Sequence, residues 1–453
     1  MKKLIALLLT VIMLLPMFAA GAEGLDTSWI LEEDTSISGD ISFWMPFKGS
    51  QGMDALIADF NTVYPNIKVT LNTYNNNSDG NLSVNTSIMA GEVDVLASFG
   101  LSNAYKRWDA AMYEDLTELV EEEGIDLVAN WGSDAFQMDE CIYTFPCGGL
   151  SYYVSINMNA WEKAGLGELP TEWTWDEYLA ASKAMTEYNE DGTVKVYGGS
   201  DYHSVNYFTY CFGSIAGKNA YYDEDGTSSF DNPAMIKALE REVQAELVDK
   251  IWFPKATYRG DNLQSQQTFL VERVVNSTVN PNMVRFLPDT ENYGVDFITG
   301  FAPWPVEEKG QVNYMSGVVP FSHAGICTTP EGRSDEEFEA CWAFLKWYST
   351  YGVKYLAAAG HQPNWAGTEA GSALALLFGS EEEAAKFVDV ESFKRVVGVA
   401  TNPQYYEDEL TAYSTVSSTL NEYAMYALNG TMTAEEAMLE AAKIADEAIA
   451  KER

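Results

Sequence analysis

The sequence has few of the residues on which many catalytic and metal sites depend. Among 453 residues there are only three histidines, His203, His323 and His361, and they are far apart along the chain. No HExxH, GxSxG, GxxxxGK[ST] or zinc-type Cys-x-x-Cys pattern occurs. We therefore predict no metal site, no cofactor and no catalytic residue, and we interpret each histidine as structural or as a surface donor.

Positive charge is also scarce. The chain has 27 Lys and Arg against 67 Asp and Glu, which gives a net charge of −40. Such a chain repels phosphate backbones and anionic membrane surfaces, so nucleic acid is excluded as an expected partner. The acidic surface is interpreted as a source of solubility that says little about the ligand.

Long apolar runs are confined to the N-terminus. Lys2 and Lys3 precede an apolar run over residues 4–15, and the small residues at 20–22 fit a cleavage site. This pattern predicts a secretory signal peptide over residues 1–22. A membrane anchor is the weaker alternative, because the run is short for a span and ends at Pro16. No later run approaches the length of a span, so we expect a soluble mature protein.

Cysteine is too rare for a disulfide scaffold, since there are five: Cys141, Cys147, Cys211, Cys327 and Cys341. An exported protein can form disulfides, but an odd count leaves at least one thiol over. Cys141 and Cys147 could pair if their short segment folds back. Buried free thiols are the favoured interpretation for most of the five.

The length favours two domains, and the order of patterns indicates their class. Residues 23–38 are interpreted as a polar leader with little periodicity. Alternating apolar residues predict strands near 41–44 and 67–71, and a compact apolar run predicts a third over 93–99. Helical spacing over 53–60 and 82–90 separates these strands. This alternation is typical of a parallel sheet with crossover helices.

Residues 140–187 contain the most informative segment. Two strand patterns flank Gly148 and Gly149, and a helix opened by Trp175 follows. A glycine pair lets the backbone adopt unusual dihedrals cheaply, which suits a chain that passes from one lobe to another. This segment resembles the lobe-crossing segment of the sugar-binding, maltose-binding-protein-like members of the extracellular solute-binding protein family 1, which serve ABC importers. FNTVYPNIKV, MAGEVDVLASFG, MYEDLTELV and TMTAEEAMLEAAKIADEAI are also similar to that family, so the resemblance extends over about 41–449.

The resemblance implies an α/β, two-lobe periplasmic-binding-protein-like fold of type II, in which each lobe is a mainly parallel sheet flanked by helices. We expect an N-lobe over 39–148 and 317–350 and a C-lobe over 149–316 and 351–453. The crossing segments are expected near 148–152, Gly317 and 350–352. Residues 269–276 correspond to a strand in relatives.

Aromatic residues are abundant, with 12 Trp, 26 Tyr and 21 Phe. Aromatic rings can cover the apolar face of a sugar while polar groups bond its hydroxyls. Because parallel sheets place ligands at the carboxyl ends of their strands, we selected candidates near those ends. The aromatic and apolar candidates are Trp44, Met45, Phe99, Tyr152, Tyr207, Tyr210, Trp304 and Trp365. The polar candidates are Asn75, Asp79, Asp201 and Asn280.

The resemblance therefore implies a monomeric binding protein, not an enzyme, that captures a mono- or oligosaccharide in an interlobe cleft and delivers it to the transmembrane subunits of an ABC permease. It would lie in the periplasm or on the extracellular face, without the lipid-modified cysteine that many relatives carry. Two alternatives stay open. Paired carboxylates could make a secreted glycoside hydrolase, and a binding module could feed a sensor rather than a transporter.

Overall fold

The structure, a computed structural model, describes residues 25–132, 137–138, 141–209, 220–279, 281–289, 291–316, 318–368, 372–397 and 411–453. The chain divides into two compact units, and each is built from two stretches of sequence. The first unit comprises Met1–Gly149 and Pro320–Leu377, and the second comprises Leu150–Val319 and Phe378–Arg453. No helix within the described ranges combines the length and apolarity of a membrane span.

The strands and helices follow each other in mixed order, as expected for an α/β protein. The strands are β1 (Gly39–Met45), β2 (Ile67–Thr73), β3 (Val95–Phe99), β4 (Gln137–Met138), β5 (Cys141–Ile142), β6 (Phe145–Ser151), β7 (Tyr153–Asn157), β8 (Glu187–Tyr188), β9 (Val194–Val196), β10 (Asn276–Val279), β11 (Thr299–Pro303), β12 (Val318–Ile326) and β13 (Gln362–Pro363). The helices are α1 (Met53–Val63), α2 (Ser78–Met89), α3 (Leu101–Asp109), α4 (Thr117–Glu122), α5 (Leu127–Trp131), α6 (Met158–Lys163), α7 (Trp175–Met185), α8 (Pro233–Val243), α9 (Lys255–Gly260), α10 (Ser265–Leu270), α11 (Asp335–Ser349), α12 (Ser372–Phe378), α13 (Glu381–Ala384), α14 (Val390–Val396), α15 (Tyr413–Leu428) and α16 (Ala434–Glu452).

The first unit is built on a sheet with strand order β13-β6-β12-β3-β1-β2. Strand β1 pairs in parallel with both β2 and β3, as the alternation of strands and helices predicted. Strand β12 returns antiparallel to β3, with Ser322 opposite Phe99. The carboxyl ends of β1 and β3 and the start of β12 therefore lie at the same edge of this sheet.

The core of the first unit lies where its helices cover the sheet. Helix α1 buries Met53, Leu56 and Phe60, the positions that its apolar spacing predicted. The long helix α11 begins with a capping box in which Ser334 and Glu337 bond each other's backbone N–H groups. The ring of Phe43 on β1 packs edge-on against Phe344 of that helix, with the ring centroids 5.0 Å apart.

The leader contributes to this core, which the sequence did not predict. Residues 23–38 were expected to form a polar leader, and the structure describes them from Leu25 onward. Trp29 and Ile30 are buried, and the Trp29 ring lies 5.9 Å from Trp131 and 6.5 Å from Phe145. Two apolar residues in a polar segment are enough to anchor it, although they show no periodicity.

The second unit has a smaller sheet with strand order β10-β7-β11. Strand β7 is antiparallel to both neighbours, so β10 and β11 run in the same direction. Residues 197–200 extend this sheet, because isolated parallel bridges join Tyr197 to Val274 and Ser200 to Ser277. The carboxyl end of that extension lies at the same edge of the sheet as the carboxyl ends of β10 and β11.

Helices and a hairpin complete the second unit. Strands β8 and β9 form a hairpin. Helix α8 begins at Pro233 and continues into a π-helical turn over Gln244–Val248. The final helix, α16, begins with a capping box of Thr433 and Glu436. Helices α15 and α16 pack on each other along their length.

The structure corrects several expectations. Residues 269–276 do not form one strand, because α10 continues to Leu270 and β10 begins only at Asn276. Residues 351–377 belong to the first unit, not to the second, and the chain returns to the second unit at Phe378. The favoured interpretation of the cysteines is confirmed among the described residues, because Cys141, Cys147, Cys327 and Cys341 are free thiols and the last three are buried. Cys211 and the signal peptide over 1–22 lie outside the described residues.

Candidate functional site

The carboxyl edge of the second sheet collects several of the predicted site residues. Trp304 directly follows β11, and Tyr152 directly precedes the antiparallel strand β7, whose Tyr153 pairs with Pro303. Asp201 directly follows the parallel extension 197–200, which pairs with β10. The rule that ligand groups lie at the carboxyl ends of parallel strands therefore selects residues that share one edge.

An aromatic cluster forms at this edge, and we call Tyr152, Tyr202, Tyr207 and Trp304 the Tyr–Trp cluster. The ring centroid of Tyr152 lies 5.8 Å from Tyr207 and 5.9 Å from Trp304, and Tyr207 lies 6.2 Å from Trp304. Tyr202 stacks on Tyr207 with a centroid separation of 4.3 Å and an interplanar angle of 29°. The separations that involve Tyr152 and Trp304 lie within the range in which aromatic rings attract each other, and the stacked Tyr202–Tyr207 pair is closer.

The Tyr–Trp cluster is layered by exposure. Trp304 is fully buried and contacts the indole of Trp175, 5.8 Å away, on α7. Tyr152 and Tyr207 are also buried, whereas Tyr202 is half-buried and forms the outermost layer. Three members of this cluster are among the residues predicted from the sequence, and Tyr202 is not. Its position next to Asp201, at the end of an extended segment, was the signal that could have identified it.

A buried ionic network includes Asp201, the residue that directly precedes Tyr202. We call Lys255, Asp201, Glu242 and Glu246 the Lys255 network, and all four are between 0 and 3% exposed. The Lys255 Nζ atom lies 2.8 Å from Glu242 Oε1 and 3.5 Å from Asp201 Oδ2. The backbone N–H of Lys255 donates to Glu246 Oε2 at 3.0 Å. Buried charges of this kind are tolerated only when they are paired.

Asp201 has a structural environment rather than an open one. Its Oδ1 atom accepts hydrogen bonds from the Tyr202 backbone N–H and from the Thr278 hydroxyl, and its Oδ2 atom faces Lys255. Because the carboxylate is buried and occupied by protein groups, we assign it to holding the Tyr202 backbone. A direct contact with a ligand, as the sequence analysis expected, does not fit these partners.

Burial shifts the pKa values around this network. Burial raises the pKa of Glu242 to about 7, although Lys255 opposes the shift, and burial with the neighbouring Glu242 raises the pKa of Glu246. Burial alone would lower the pKa of Lys255, but the surrounding carboxylates raise it. Burial, helped by the nearby Lys255 charge, lowers the pKa of His203 to about 4, so this imidazole is neutral at physiological pH.

The first unit has its own aromatic cluster at the carboxyl edge of its sheet. Phe99, at the end of β3, stacks on His361 with a centroid separation of 5.0 Å and lies 5.0 Å from Phe47 and 5.7 Å from Phe321. The sequence analysis named only Phe99 here. The other three residues are distant in sequence, so only the fold brings them to it.

The side chains of Trp44 and Met45 lie on opposite faces of β1. Met45 is fully buried in the main core, so a direct ligand contact does not fit its position. Trp44 is half-buried on the other face of β1, where it packs against a separate hydrophobic cluster that contains Tyr74. Its Nε1 atom donates to Ser42 Oγ at 2.9 Å. Strand alternation explains the difference, because neighbouring side chains point to opposite faces.

Trp365 is also a core residue. Its Nε1 atom donates to Asn130 Oδ1 at 2.9 Å, its ring packs edge-on against Tyr351 at 5.2 Å, and it is 6% exposed. Packing and a side-chain hydrogen bond therefore account for this tryptophan. The predicted role as an open binding surface does not fit.

Of the polar candidates of the first unit, Asn75 lies just before α2 and Asp79 lies in its first turn. Asn75 and Asp79 are exposed, and Asn77 caps the helix by accepting from the Gly80 N–H at 2.9 Å. Helix α2 is fixed to the sheet by the buried Arg107, whose guanidinium donates to Asn81 Oδ1 and Asn85 Oδ1, each at 2.8 Å, and to Ser98 Oγ. Asn75 and Asp79 therefore lie at the N-terminal end of a well-anchored helix.

Two predicted residues, Tyr210 and Asn280, lie outside the described residues. Within the described ranges, no group of three or more His, Cys, Asp or Glu side chains could hold a metal ion. In the second unit's site, Asp201, Glu242 and Glu246 contact Lys255, and His203 contacts Ser265. What the site offers is stacked aromatic surface beside polar backbone and side-chain groups, which suits binding.

Comparison with protein families identifies the class. Residues 47–355 match the model of the bacterial extracellular solute-binding proteins. This match covers more than half of the chain, so the protein belongs to that family of extracellular binding proteins. No curated protein matches the sequence.

Solved structures share the fold at low sequence identity. A sugar transporter from Rhizobium etli superposes with a TM-score of 0.70 at 15% identity, covering 90% of this chain and 99% of that one. An ABC substrate-binding protein from Listeria monocytogenes, in complex with cycloalternan, gives 0.69 at 19%, covering 91% and 99%. A cyclic α-maltosyl-1,6-maltose binding protein from Arthrobacter globiformis gives 0.66 at 17%, covering 91% and 100%. The predicted two-lobe binding-protein fold is thereby confirmed.

Proposed function

We propose that this protein binds a carbohydrate, a mono- or oligosaccharide, and delivers it to an ABC-type permease. The observation that carries the proposal is the Tyr–Trp cluster at the carboxyl edge of the second sheet. Its outermost ring, Tyr202, is half-buried and rests on Tyr207. A flat ring backed by a second ring is suited to the apolar face of a sugar, because it stays in place while the sugar is desolvated.

Polar groups that would bond sugar hydroxyls are proposed in the first unit. Asn75 and Asp79 are exposed and follow β2, and Trp44 offers a half-buried indole near the end of β1. An exposed carboxylate such as Asp79 can accept hydrogen bonds from two hydroxyls of one sugar. In the second unit the proposed stacking surface is Tyr202, with Tyr152 and Tyr207 buried behind it.

Structures with the same fold support the choice of ligand class. The Listeria protein was solved with cycloalternan, and the Arthrobacter protein binds a cyclic maltosyl-maltose. Both ligands are neutral oligosaccharides. A neutral ligand also agrees with a chain of net charge −40, which would repel an anionic solute at long range.

A carbohydrate panel tests the proposal directly. We would measure melting temperature and calorimetric affinity with maltose, cycloalternan, chitin oligosaccharides and linear glucans. A ligand at 100 times its dissociation constant should stabilise the protein by about 2.7 kcal/mol. Recovery of a cleaved glycan would instead support the hydrolase alternative, and no stabilisation by any glycan would contradict carbohydrate binding.

The contribution of the aromatic surface is tested by one substitution and a matched control. Tyr202→Ala should weaken binding of the panel's best glycan about tenfold, because it removes one stacking surface. Tyr188→Ala removes a tyrosine of the same unit that is 51% exposed on β8, and it should leave the affinity unchanged. Equal affinities for both variants would contradict a role for the Tyr–Trp cluster.

Delivery and export are separate parts of the proposal. A strain lacking the protein should lose uptake of the bound glycan but keep uptake of unrelated sugars, whereas a sensor-feeding module would leave uptake intact.

Mass spectrometry of the exported protein should find its N-terminus at Glu23, because the signal peptide is proposed to be cleaved after Ala22. The exported protein is proposed to be a monomer, which light scattering checks.

A further inference from the structure

The 201–207 segment, which carries Tyr202 and Tyr207, has no regular structure until the short 3₁₀ turn over Val205–Phe208. Its shape therefore depends on contacts with its surroundings. His203 N donates to Ser265 Oγ at 2.8 Å, and Asn206 Nδ2 donates to the Tyr221 hydroxyl at 2.8 Å. The Lys255 network supplies further anchors.

Lys255 contacts this segment at two points. Its Nζ atom lies 3.5 Å from the Asp201 carboxylate at the start of the segment and donates to the Ser204 carbonyl oxygen at 3.1 Å. Asp201 in turn accepts from the Tyr202 N–H at 2.8 Å. One buried ammonium group thus fixes the backbone on both sides of Tyr202.

Two glutamates hold Lys255 in that position. Glu242 lies 2.8 Å from its Nζ atom, and Glu246 accepts from its backbone N–H. Both come from the region where α8 changes into a π-helical turn. The anchor of the 201–207 segment is therefore built on two further helices, α8 and α9.

Such a network is a poor source of stability. Taking the Lys255 ammonium and its ionised carboxylate partners out of water costs several kcal/mol per ion, and buried ion pairs can often be replaced by apolar groups without loss. Charged groups with fixed partners do, however, determine where a backbone segment lies. We therefore expect the Lys255 network to affect the geometry of the 201–207 segment more than the stability of the protein.

We propose that Lys255, Glu242 and Asp201 are positioning residues that hold Tyr202 and Tyr207 in their binding geometry. None of the three contacts the ligand in this role. The inference rests on the proposed function for its consequence, since weaker glycan binding is expected when the segment loosens. The local effect on the 201–207 segment can be measured without any ligand.

Hydrogen exchange on the ligand-free protein tests the local effect. The double variant Glu242→Gln/Lys255→Met removes the Lys255–Glu242 pair and leaves the Asp201 carboxylate without its ammonium partner, while keeping the side-chain volumes similar. Amides of the 201–209 peptide should exchange about tenfold faster, as expected when a hydrogen bond to a charged group is lost. Peptides from α15 and α16 in the same unit should keep their wild-type protection.

A second buried lysine provides the matched control. Lys346 is 1% exposed in the first unit, and its Nζ atom lies 2.7 Å from both Glu123 and Glu32. Lys346→Met/Glu123→Gln should leave exchange of the 201–209 peptide unchanged. If the first double variant accelerates exchange equally throughout the second unit, or leaves the 201–209 peptide unchanged, the positioning role is wrong.

Binding measurements separate this inference from the proposed function. The glycan with the highest affinity in the panel should bind the Glu242→Gln/Lys255→Met variant about tenfold more weakly than wild type, the same loss that Tyr202→Ala produces. Asp201→Asn added to this double variant keeps an acceptor for the Tyr202 N–H. The combined variant should therefore recover much of the lost affinity. If no glycan binds wild type, the proposed function fails while the exchange result stands. Faster exchange of the 201–209 peptide with unchanged glycan affinity would show that the network orders this segment but does not position it for binding.

Discussion

Single residues in this protein have roles that depend on which face of an element they occupy. Ile41, Phe43 and Met45 share the buried face of β1, whereas Trp44 lies on the other face and stays half-exposed. The sequence already contained this alternation, because the first two of these apolar residues are two positions apart. Had the pattern been continued by one step, it would have placed Met45 in the core and left Trp44 as the candidate.

Gly80 shows how one residue shapes the proposed polar loop. A Cβ atom at this position would lie 1.9 Å from the Asn75 carbonyl oxygen. Gly80→Ala should therefore destabilise the protein by about 1–3 kcal/mol, since the backbone must move to relieve the clash. Urea unfolding measures this cost.

Gly260 is the control for that substitution. It is exposed at the end of α9, and a Cβ atom there meets nothing within 4 Å. Gly260→Ala should leave stability unchanged or raise it by up to about 1 kcal/mol. Equal stabilities for the two variants would show that the close approach of Asn75 and Gly80 does not exist in solution.

Glu242 gives the protein a defined pH dependence. Burial raises its folded-state pKa from 4.5 to about 7, so the folded state holds a proton that the unfolded state releases. Its contribution to stability is complete below pH 4.5 and is lost as the pH rises to about 7. The wild-type protein should therefore lose up to about 1.4 kcal/mol per pH unit in this window relative to Glu242→Gln.

Urea unfolding at several pH values measures this difference. Burial lowers the pKa of His203 to about 4, and the resulting effect has the opposite sign, because the unfolded state then binds the extra proton. Comparison with the variant cancels the histidine term. Glu240→Gln, at an exposed position of the same helix, should retain the wild-type profile. A pH-independent difference between wild type and Glu242→Gln would contradict the raised pKa.

At the scale of elements, strongly patterned segments were predictable from sequence and segments defined by distant contacts were not. Helices α1 and α16 follow apolar spacing and a capping box, which act within a few residues. The aromatic cluster of Phe47, Phe99, Phe321 and His361 joins four separate segments, so no local pattern announces it. Strand ends fall between these cases, which is why Tyr152 and Trp304 were identified and Tyr202 was missed.

The leader is an element that only the structure reveals. Trp29 contacts Trp131 and Phe145 and is 6% exposed, so its indole is part of the first unit's core. Trp29→Ala should destabilise the first unit by about 3–5 kcal/mol, the usual cost of removing a buried large aromatic side chain. Urea unfolding monitored by fluorescence measures this. Glu33→Ala, at an exposed position of the same segment, should change stability by no more than about 0.5 kcal/mol.

At the scale of the whole molecule, the net charge of −40 is the dominant electrostatic property. Like charges repel across the folded surface, and this repulsion weakens when salt shortens the Debye length from about 30 Å at 0.01 M to about 8 Å at 0.15 M. The melting temperature should therefore rise with ionic strength, by about 2–4 °C for each kcal/mol of repulsion removed. Screening acts through ionic strength alone, so sodium, potassium and choline chlorides should give the same curve. A rise specific to one cation would indicate a bound ion instead. A fall with salt would mean that attractive surface ion pairs such as Lys309–Glu177 outweigh the surface repulsion.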